Sequence, residues 1–204
     1  MRRILCALVL LAAFFVVTVR AESPVQLSLT PEIALVSPEE SVTGLRLGIW
    51  SRNADVAGLD LGILNETTGD ESAIQLGVVN LVDGDTVGLQ WGLYGFSRTG
   101  GDFAGWQTGI VTRAEGKLVG LQTGIVSLSD YDSAGLLLGW IYNKHEGSAR
   151  GLMVGLVNQT VDASGIQLGL VNLTDYMDGV QIGLWNQINS KTELSGLPIV
   201  NWAF

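Results

Sequence analysis

The sequence predicts an all-β repeat protein, a parallel β-solenoid of about eleven coils with about 15 residues each. Three observations lead to this prediction. The motif G-Φ-x-Φ-G-Φ-Φ-N, in which Φ is an apolar residue, recurs from residue 44 to the C-terminus. Apolar and polar residues alternate within each motif, which is typical of a β-strand. Successive motifs begin 14 to 17 residues apart, which leaves no room for a helix between strands.

The N-terminal segment 1–21 has the features of a secretory signal peptide. Two arginines precede an apolar run of about 16 residues, and Ala21 ends the segment in a sequence similar to an A-x-A cleavage site. The run is shorter than the ~20 residues that a membrane helix needs, although a retained anchor is the alternative. Cleavage would remove Cys6, the only cysteine, so we expect an exported protein without disulfides.

The charge of the chain excludes one class of partner. Loss of the three arginines in segment 1–21 would lower the formal net charge from −9 to −12. Phosphate binding relies on clusters of lysine and arginine, so we expect no nucleic-acid partner. Anionic lipid is disfavoured for the same reason.

The remaining chain divides into three parts. Segment 22–43 contains three of the four prolines and is predicted to cap the first coil. Segment 44–190 is the repeat array, and segment 191–204 holds the last repeat and a C-terminal cap. With the first glycine of each motif numbered position 0, the units begin at Gly44, Gly58, Ala73, Gly88, Gly105, Gly120, Gly135, Gly151, Gly165, Gly179 and Gly196.

Alternation within the units predicts which side chains are buried. Positions 1, 3 and 5 are almost always apolar, so we expect them to face the core. Position 2 is mostly polar and is predicted to face outward between two glycines. Its glutamines would form either a surface strip that binds an extended polymer or a partner, or a ladder that stabilises the stack. These residues are Gln75, Gln90, Gln107, Gln122, Gln167 and Gln181.

An antiparallel up-and-down β-barrel of the outer-membrane type is the alternative fold. The ending Trp202-Ala203-Phe204 is typical of such barrels. A band only three alternate residues deep is, however, too shallow for a lipid-facing band about 25 Å tall. Parallel stacking also explains why one residue type recurs at one position. It predicts an asparagine ladder from Asn65, Asn80, Asn158, Asn172 and Asn186.

The units resemble those of bacterial surface-repeat proteins built from G-L-Q-L-G-L-V-N units. The resemblance extends to the opening, Pro24–Leu29 followed by Gly44–Leu47, and to the ending Leu197–Trp202. It implies an exported protein of the cell envelope and no particular activity. The chain departs from the pattern at Ala73, Gly95, Thr112 and Ser127.

No combination of residues in the sequence predicts catalysis. His145, the only histidine, lies in N-K-H-E-G and is predicted to be a solvated turn residue. A zinc site would need further histidine or cysteine ligands. Asp83 with Asp85, or Asp130 with Asp132, could contribute to a calcium site, but we expect ordinary turns. We therefore predict no enzyme activity, no metal and no cofactor.

The tryptophans are the remaining candidates for binding. Three of them occupy odd motif positions and are predicted to be core residues, whereas two occupy position 6 and are expected to be either exposed for binding or partly buried at each end of the stack. The predicted core residues are Trp91, Trp106 and Trp140, and the two at position 6 are Trp50 and Trp185.

The predicted function is that of a non-enzymatic, exported repeat protein of the cell surface, outer membrane or periplasm, with a structural, adhesive or binding role. Its partner is not specified by the sequence, and an envelope polymer or a protein is the expected kind. One alternative is a small outer-membrane channel, which would contact the membrane and requires the barrel. A minor alternative is a β-helix that binds or degrades glycans, and an enzyme of this kind would need clustered carboxylates.

Overall fold

A computed structural model describes residues 22–204, and these form thirteen β-strands without any helix. The predicted signal peptide lies outside the described residues. The strands are β1 (Glu22–Thr30), β2 (Ile33–Ala34), β3 (Ser41–Asn53), β4 (Val56–Thr67), β5 (Glu71–Val82), β6 (Thr86–Thr99), β7 (Phe103–Thr108), β8 (Val111–Ala114), β9 (Leu118–Ser129), β10 (Ser133–Val154), β11 (Val157–Leu168), β12 (Val171–Ile188) and β13 (Gly196–Ala203).

The strands from β1 to β12, apart from β2, pair in parallel, which confirms the predicted solenoid. Each motif stacks on the next in register, so that Gly44 pairs with Gly58 and Gln75 pairs with Gln90. The longer strands continue from one coil into the next, and one end of β10 pairs with β9 while the other end pairs with β11. The antiparallel alternative is therefore wrong.

The two ends of the stack differ from the prediction. Segment 22–43 contributes a complete strand to the stack, since β1 pairs in parallel with β3 and aligns Gln26 with Arg46. The short β2 then pairs with β1 in the antiparallel direction. The unit at Gly196 reverses direction, because β13 pairs antiparallel with β12 and aligns Trp202 with Val180. This last unit is a cap and not a further parallel coil.

The predicted inside and outside of the coils are reversed. Four rows of side chains point inward, at motif positions −2, 2, 7 and 9, and most of them are polar. The leucines, isoleucines and valines at positions 1, 3 and 5 point outward, as for Leu47, Ile63 and Val78. A coil of about 15 residues encloses a narrow interior, where polar side chains reach partners in the coils above and below.

The asparagine row at position 7 forms the predicted ladder in two parts of the stack. The Asn143 amide donates to Asn158, Asn158 donates to Asn172, and Asn172 donates to Asn186, each at 2.7 Å between Nδ2 and Oδ1. The Asn65 amide donates likewise to Asn80 at 3.0 Å. Ser97, Thr112 and Ser127 occupy the row between these parts.

Apolar side chains fill part of the interior in the middle of the stack. One cluster contains Phe103, Leu118, Leu137 and Met153. The row at position 2 changes from glutamine to Leu137 and Met153 within this cluster. Phe103 and Leu118 lie at position −2 of the coils that carry Gln107 and Gln122, so apolar side chains also pack beside an intact ladder.

The two glycines of the motif have separate structural roles. Gly120 at position 0 has a φ of 130°, which bends the chain, and an added Cβ would overlap the carbonyl oxygen of Gly105 in the previous coil. Gly62 at position 4 leaves room for an inward side chain, since a Cβ there would overlap Oδ1 of Asn65. Backbone bending and close approach explain why glycine recurs inside strands.

We expect Gly120→Ala to destabilise the fold by at least ~2 kcal/mol, because alanine must adopt a strained φ and contact backbone atoms that cannot move away. The measurement is the urea midpoint followed by circular dichroism. Ala73 occupies the same motif position without a positive φ. The control Ala73→Gly should therefore shift stability by only about 1 kcal/mol or less. Equal effects of the two substitutions would contradict this account of position 0.

Candidate functional site: an apolar sheet face

The predicted surface strip of glutamines does not exist, because the position 2 side chains lie inside the solenoid. All six glutamines are buried, namely Gln75, Gln90, Gln107, Gln122, Gln167 and Gln181. The other prediction for this row, a ladder, holds in two parts of the stack, from Gln90 to Gln122 and between Gln167 and Gln181. The amide of Gln107 donates to Gln90 at 2.8 Å, and that of Gln122 donates to Gln107 at 2.9 Å.

The outward side chains at positions 1, 3 and 5 form a continuous surface that we call the apolar sheet face. It extends over the eleven parallel coils, beginning with β1, and all but two of its positions are apolar. The exceptions are Thr108 and Thr123 in the middle of the stack. At a spacing of ~4.8 Å between coils and ~3.3 Å per residue, the face is roughly 50 Å long and 17 Å wide.

Charged side chains are absent from the apolar sheet face and concentrate elsewhere on the solenoid. Position 8 and the turns carry them as a network of ion pairs. Arg98 contacts both Asp83 and Glu115, at 3.1 and 2.8 Å, and Arg113 contacts Asp130 at 2.7 Å. These ion pairs therefore lie away from the apolar sheet face.

A groove of about 340 Å³ crosses the middle of the apolar sheet face. Thr108 and Thr123 lie in it, and Tyr94 and Trp140 line it. Tyr94 belongs to an outward bulge between Gly92 and Phe96, where β6 is longer than β5. The small side chains of Thr108 and Thr123 between large aromatic ones thus form a depression at the centre of the otherwise regular face.

The tryptophans on this face are exposed, so their prediction as core residues was wrong. Trp91, Trp106 and Trp140 are 41%, 42% and 72% exposed, and the rings of Trp91 and Trp106 stack with centroids 6.2 Å apart. The two tryptophans at position 6, Trp50 and Trp185, are 37% and 46% exposed, so each is partly buried and partly accessible.

A buried ionic cluster lies in the interior near the N-terminal end of the stack. Arg46 forms two hydrogen bonds of 2.7 Å with Asp60 in the next coil. Glu71 accepts hydrogen bonds from Thr67 and Gln75, at 2.9 and 2.8 Å. Burial raises the pKa of Glu71 to about 8, and the nearby charge of Asp60 adds to this effect. Glu71 is therefore protonated at neutral pH.

The sequence contains a signal for this cluster. Arg46 and Asp60 both occupy position 2 of successive units, so parallel stacking places them directly next to each other. Opposite charges at equivalent positions of adjacent repeats predict a pair. Because both side chains are buried, the cluster belongs to the interior of the solenoid.

His145 lies in strand β10 and is buried, so its prediction as a solvated turn residue was wrong. Its Nδ1 is 2.9 Å from the hydroxyl of Ser133, which in turn donates to Ser129. Burial lowers the pKa of His145 to about 4, so the imidazole is neutral at neutral pH. A Ser–His contact without solvent access can position side chains but cannot reach a substrate.

The aspartates of the turns bind backbone groups of the following coil. Asp85 accepts a hydrogen bond from the N–H of Asp102 at 2.7 Å, and Asp102 accepts one from Lys117 at 2.8 Å. Asp132 does the same with Ser148. Within residues 22–204, no group of three or more histidine, cysteine or acidic side chains is arranged to hold a metal ion.

Comparison of the chain with protein-family models, with curated proteins and with solved structures gave no significant match. In the part of the chain that the structure describes, no helix has the length and apolar character needed to cross a membrane.

We expect Glu71→Gln to reduce the dependence of stability on pH. The ordinary pKa of this group is 4.5 and its folded-state pKa is about 8, so the folded chain holds an additional proton between these values. Wild-type stability should thus fall as pH rises, by up to about 1.4 kcal/mol per pH unit from this group. The lowered pKa of His145 gives the opposite slope below 6.5, so the informative range is pH 6.5 to 8.

The measurement is a series of urea midpoints across that range. Glu71→Gln should show a flatter profile than wild type and should be the more stable of the two at pH 8. Glu66→Gln, which changes an outward side chain of the neighbouring coil, serves as the control and should keep the wild-type slope. Equal slopes for wild type and Glu71→Gln would show that Glu71 is ionised in the fold.

Proposed function

We propose that this protein is an exported, non-enzymatic repeat scaffold of the bacterial cell envelope that acts by binding through its apolar sheet face. The observation that carries the proposal is a charge-free surface of eleven coils on which large apolar side chains remain exposed. Monomeric soluble proteins rarely leave patches above roughly 300–600 Å² uncovered, and this face reaches about 800 Å².

Sheet architecture supports the same proposal. All-parallel sheets occur almost only where both of their faces are covered. Here the interior covers one face of the sheet, while side chains such as Ile49, Ile63 and Leu184 leave the other face uncovered. A binding partner would provide the missing layer.

The remaining chemistry of the chain supports a non-enzymatic role. The groups with shifted pKa values that could take part in proton transfer, Glu71 and His145, are buried away from solvent. The carboxylates of Asp83, Glu115 and Asp130 are engaged with arginines. Export rests on the signal-like segment 1–21 and on the acidic composition. The channel alternative required the barrel and loses its basis with it.

The proposal predicts that the apolar sheet face is covered in the cell. Two single-cysteine variants test this, one with Leu121→Cys at position 1 of the face and one with Leu128→Cys at position 8 of the same coil. Both leucines are partly exposed and point outward on different sides. In intact envelopes, a water-soluble maleimide should label position 121 at least about 10-fold more slowly than position 128, because a covered side chain excludes the reagent.

Denaturation should make the two labelling rates equal, and wild-type protein gives the background from Cys6. Labelling should occur outside the cytoplasm, which a reagent excluded by the inner membrane establishes. Equal labelling rates in the native envelope would refute binding through this face. Labelling only after the inner membrane is broken would refute export.

A further inference from the structure

We propose that the partner on the apolar sheet face is a second copy of this chain, so that two solenoids pack face to face as a two-layer β-sandwich. This inference rests on the proposed function, since it identifies what covers the face. Five observations support it, namely the size of the face, its periodicity, the distribution of charge, the position of the aromatic side chains and the structure of the two ends.

The area of the face is about the area that each partner buries in a stable dimer. Specific protein interfaces bury about 800 Å² on each partner, and the apolar sheet face offers roughly that area. Its composition, apolar at all but two positions, is that of an interface between permanently associated copies, which resembles the core of a domain.

The periodicity of the face matches that of a second copy. Strands repeat every ~4.8 Å along the stack, so the outward side chains form evenly spaced ridges. Another copy has the same spacing, and its ridges can lie between these ridges over the whole ~50 Å length. Sheets that pack in this way lie about 10 Å apart. A partner with a different spacing would lose this match after a few coils.

The distribution of charge permits two copies to approach and disfavours an anionic membrane. The acidic turns and the ion pairs of Arg98 and Arg113 lie away from the face. Face-to-face packing therefore keeps like charges of the two copies apart. A chain with a formal net charge of −9 would be repelled by anionic headgroups next to the same face.

The aromatic side chains lie where an interface has its strongest contacts. Trp91, Tyr94 and Trp140 come from the middle coils and line the central groove, and Trp106 stacks on Trp91 beside it. Residues that dominate binding energy are enriched in tryptophan and tyrosine and cluster near the centre of an interface. Tyr94 and Trp140 project from the face and would insert into the surface of the partner.

The ends of the solenoid favour a closed dimer over a filament. Within residues 22–204, the antiparallel β13 covers one end and the short antiparallel β2 pairs with part of β1 at the other, so neither end continues as a further parallel coil. Each copy has one apolar sheet face, and two such faces cover each other completely. The interface is therefore isologous and closes at two copies.

Sedimentation equilibrium of the protein purified from full-length expression tests the inference, with Leu121→Glu and Leu128→Glu as a matched pair from one coil. Wild type should be a dimer at micromolar concentration. Leu121→Glu places one buried carboxylate in each half of the interface and should raise the dissociation constant at least about 100-fold. Leu128→Glu, whose neighbours in register are Arg113 and Lys144, should dimerise as wild type does.

Tryptophan fluorescence provides a second readout that does not depend on mass. Dissociation by dilution should shift the emission to longer wavelength, because Trp91, Trp106 and Trp140 become exposed to water. Leu121→Glu should show that shifted emission at all concentrations. Circular dichroism identifies any variant that fails to fold. If Leu121→Glu does not fold, Thr123→Glu at position 3 of the same coil replaces it.

A monomeric wild type whose tryptophan emission is that of water-exposed side chains would overturn this inference. If position 121 is nevertheless protected in the envelope, another partner covers the face, and the proposed function survives. Zwitterionic vesicles then identify lipid as the partner if they bind wild type and not Leu121→Glu. A monomer that is also unprotected in the envelope would overturn both proposals. A dimer that Leu121→Glu leaves unchanged would place the interface elsewhere and would also overturn the inference.

Discussion

The fold depends on hydrogen bonds between equivalent side chains of successive coils. In-register parallel pairing places Asn143, Asn158, Asn172 and Asn186 in one row, where each amide can donate to the next. A shift of one residue would turn each of these side chains to the opposite side of its strand. The buried polar rows thus fix the register, and unsatisfied amides would penalise any other one. Glycine at positions 0 and 4 allows the narrow coil that brings the rows together.

A polar interior has a direct consequence for the exterior. Because the inward positions are taken by amides and hydroxyls, the alternating apolar residues point outward and form the apolar sheet face. Outside the buried cluster of Arg46, Asp60 and Glu71, most charged residues occupy position 8 and the turns, where Arg98 and Arg113 connect the acidic side chains of neighbouring coils. The same repeat that holds the solenoid together therefore also creates its binding surface. Each motif therefore contributes both to the interior of the solenoid and to the apolar sheet face.

Much of the fold could be predicted from the sequence, because period and register follow from repetition alone. Strands, parallel stacking and the asparagine ladder were predicted correctly for this reason. The orientation of the two faces was not, since alternation separates odd from even positions without specifying which are inside. Hydrophobicity suggests that the leucines form the core. That assignment placed Trp91, Trp106 and Trp140 inside the solenoid and the glutamines outside, which is the reverse of their observed positions. His145 was assigned to a turn for a related reason. The segment N-K-H-E-G is polar, and polar residues are typical of turns as well as of the interior rows of this solenoid.

The bulge at Tyr94 shows how the repeat tolerates changes in length. Gly77 pairs with Gly92 and Asn80 with Ser97, so β6 accommodates its additional residues entirely on the outside without disturbing the interior rows. Additional residues at this corner therefore leave the interior of the solenoid unchanged. Lengthening the chain here would change the surface that meets a partner while leaving the asparagine and glutamine rows in register.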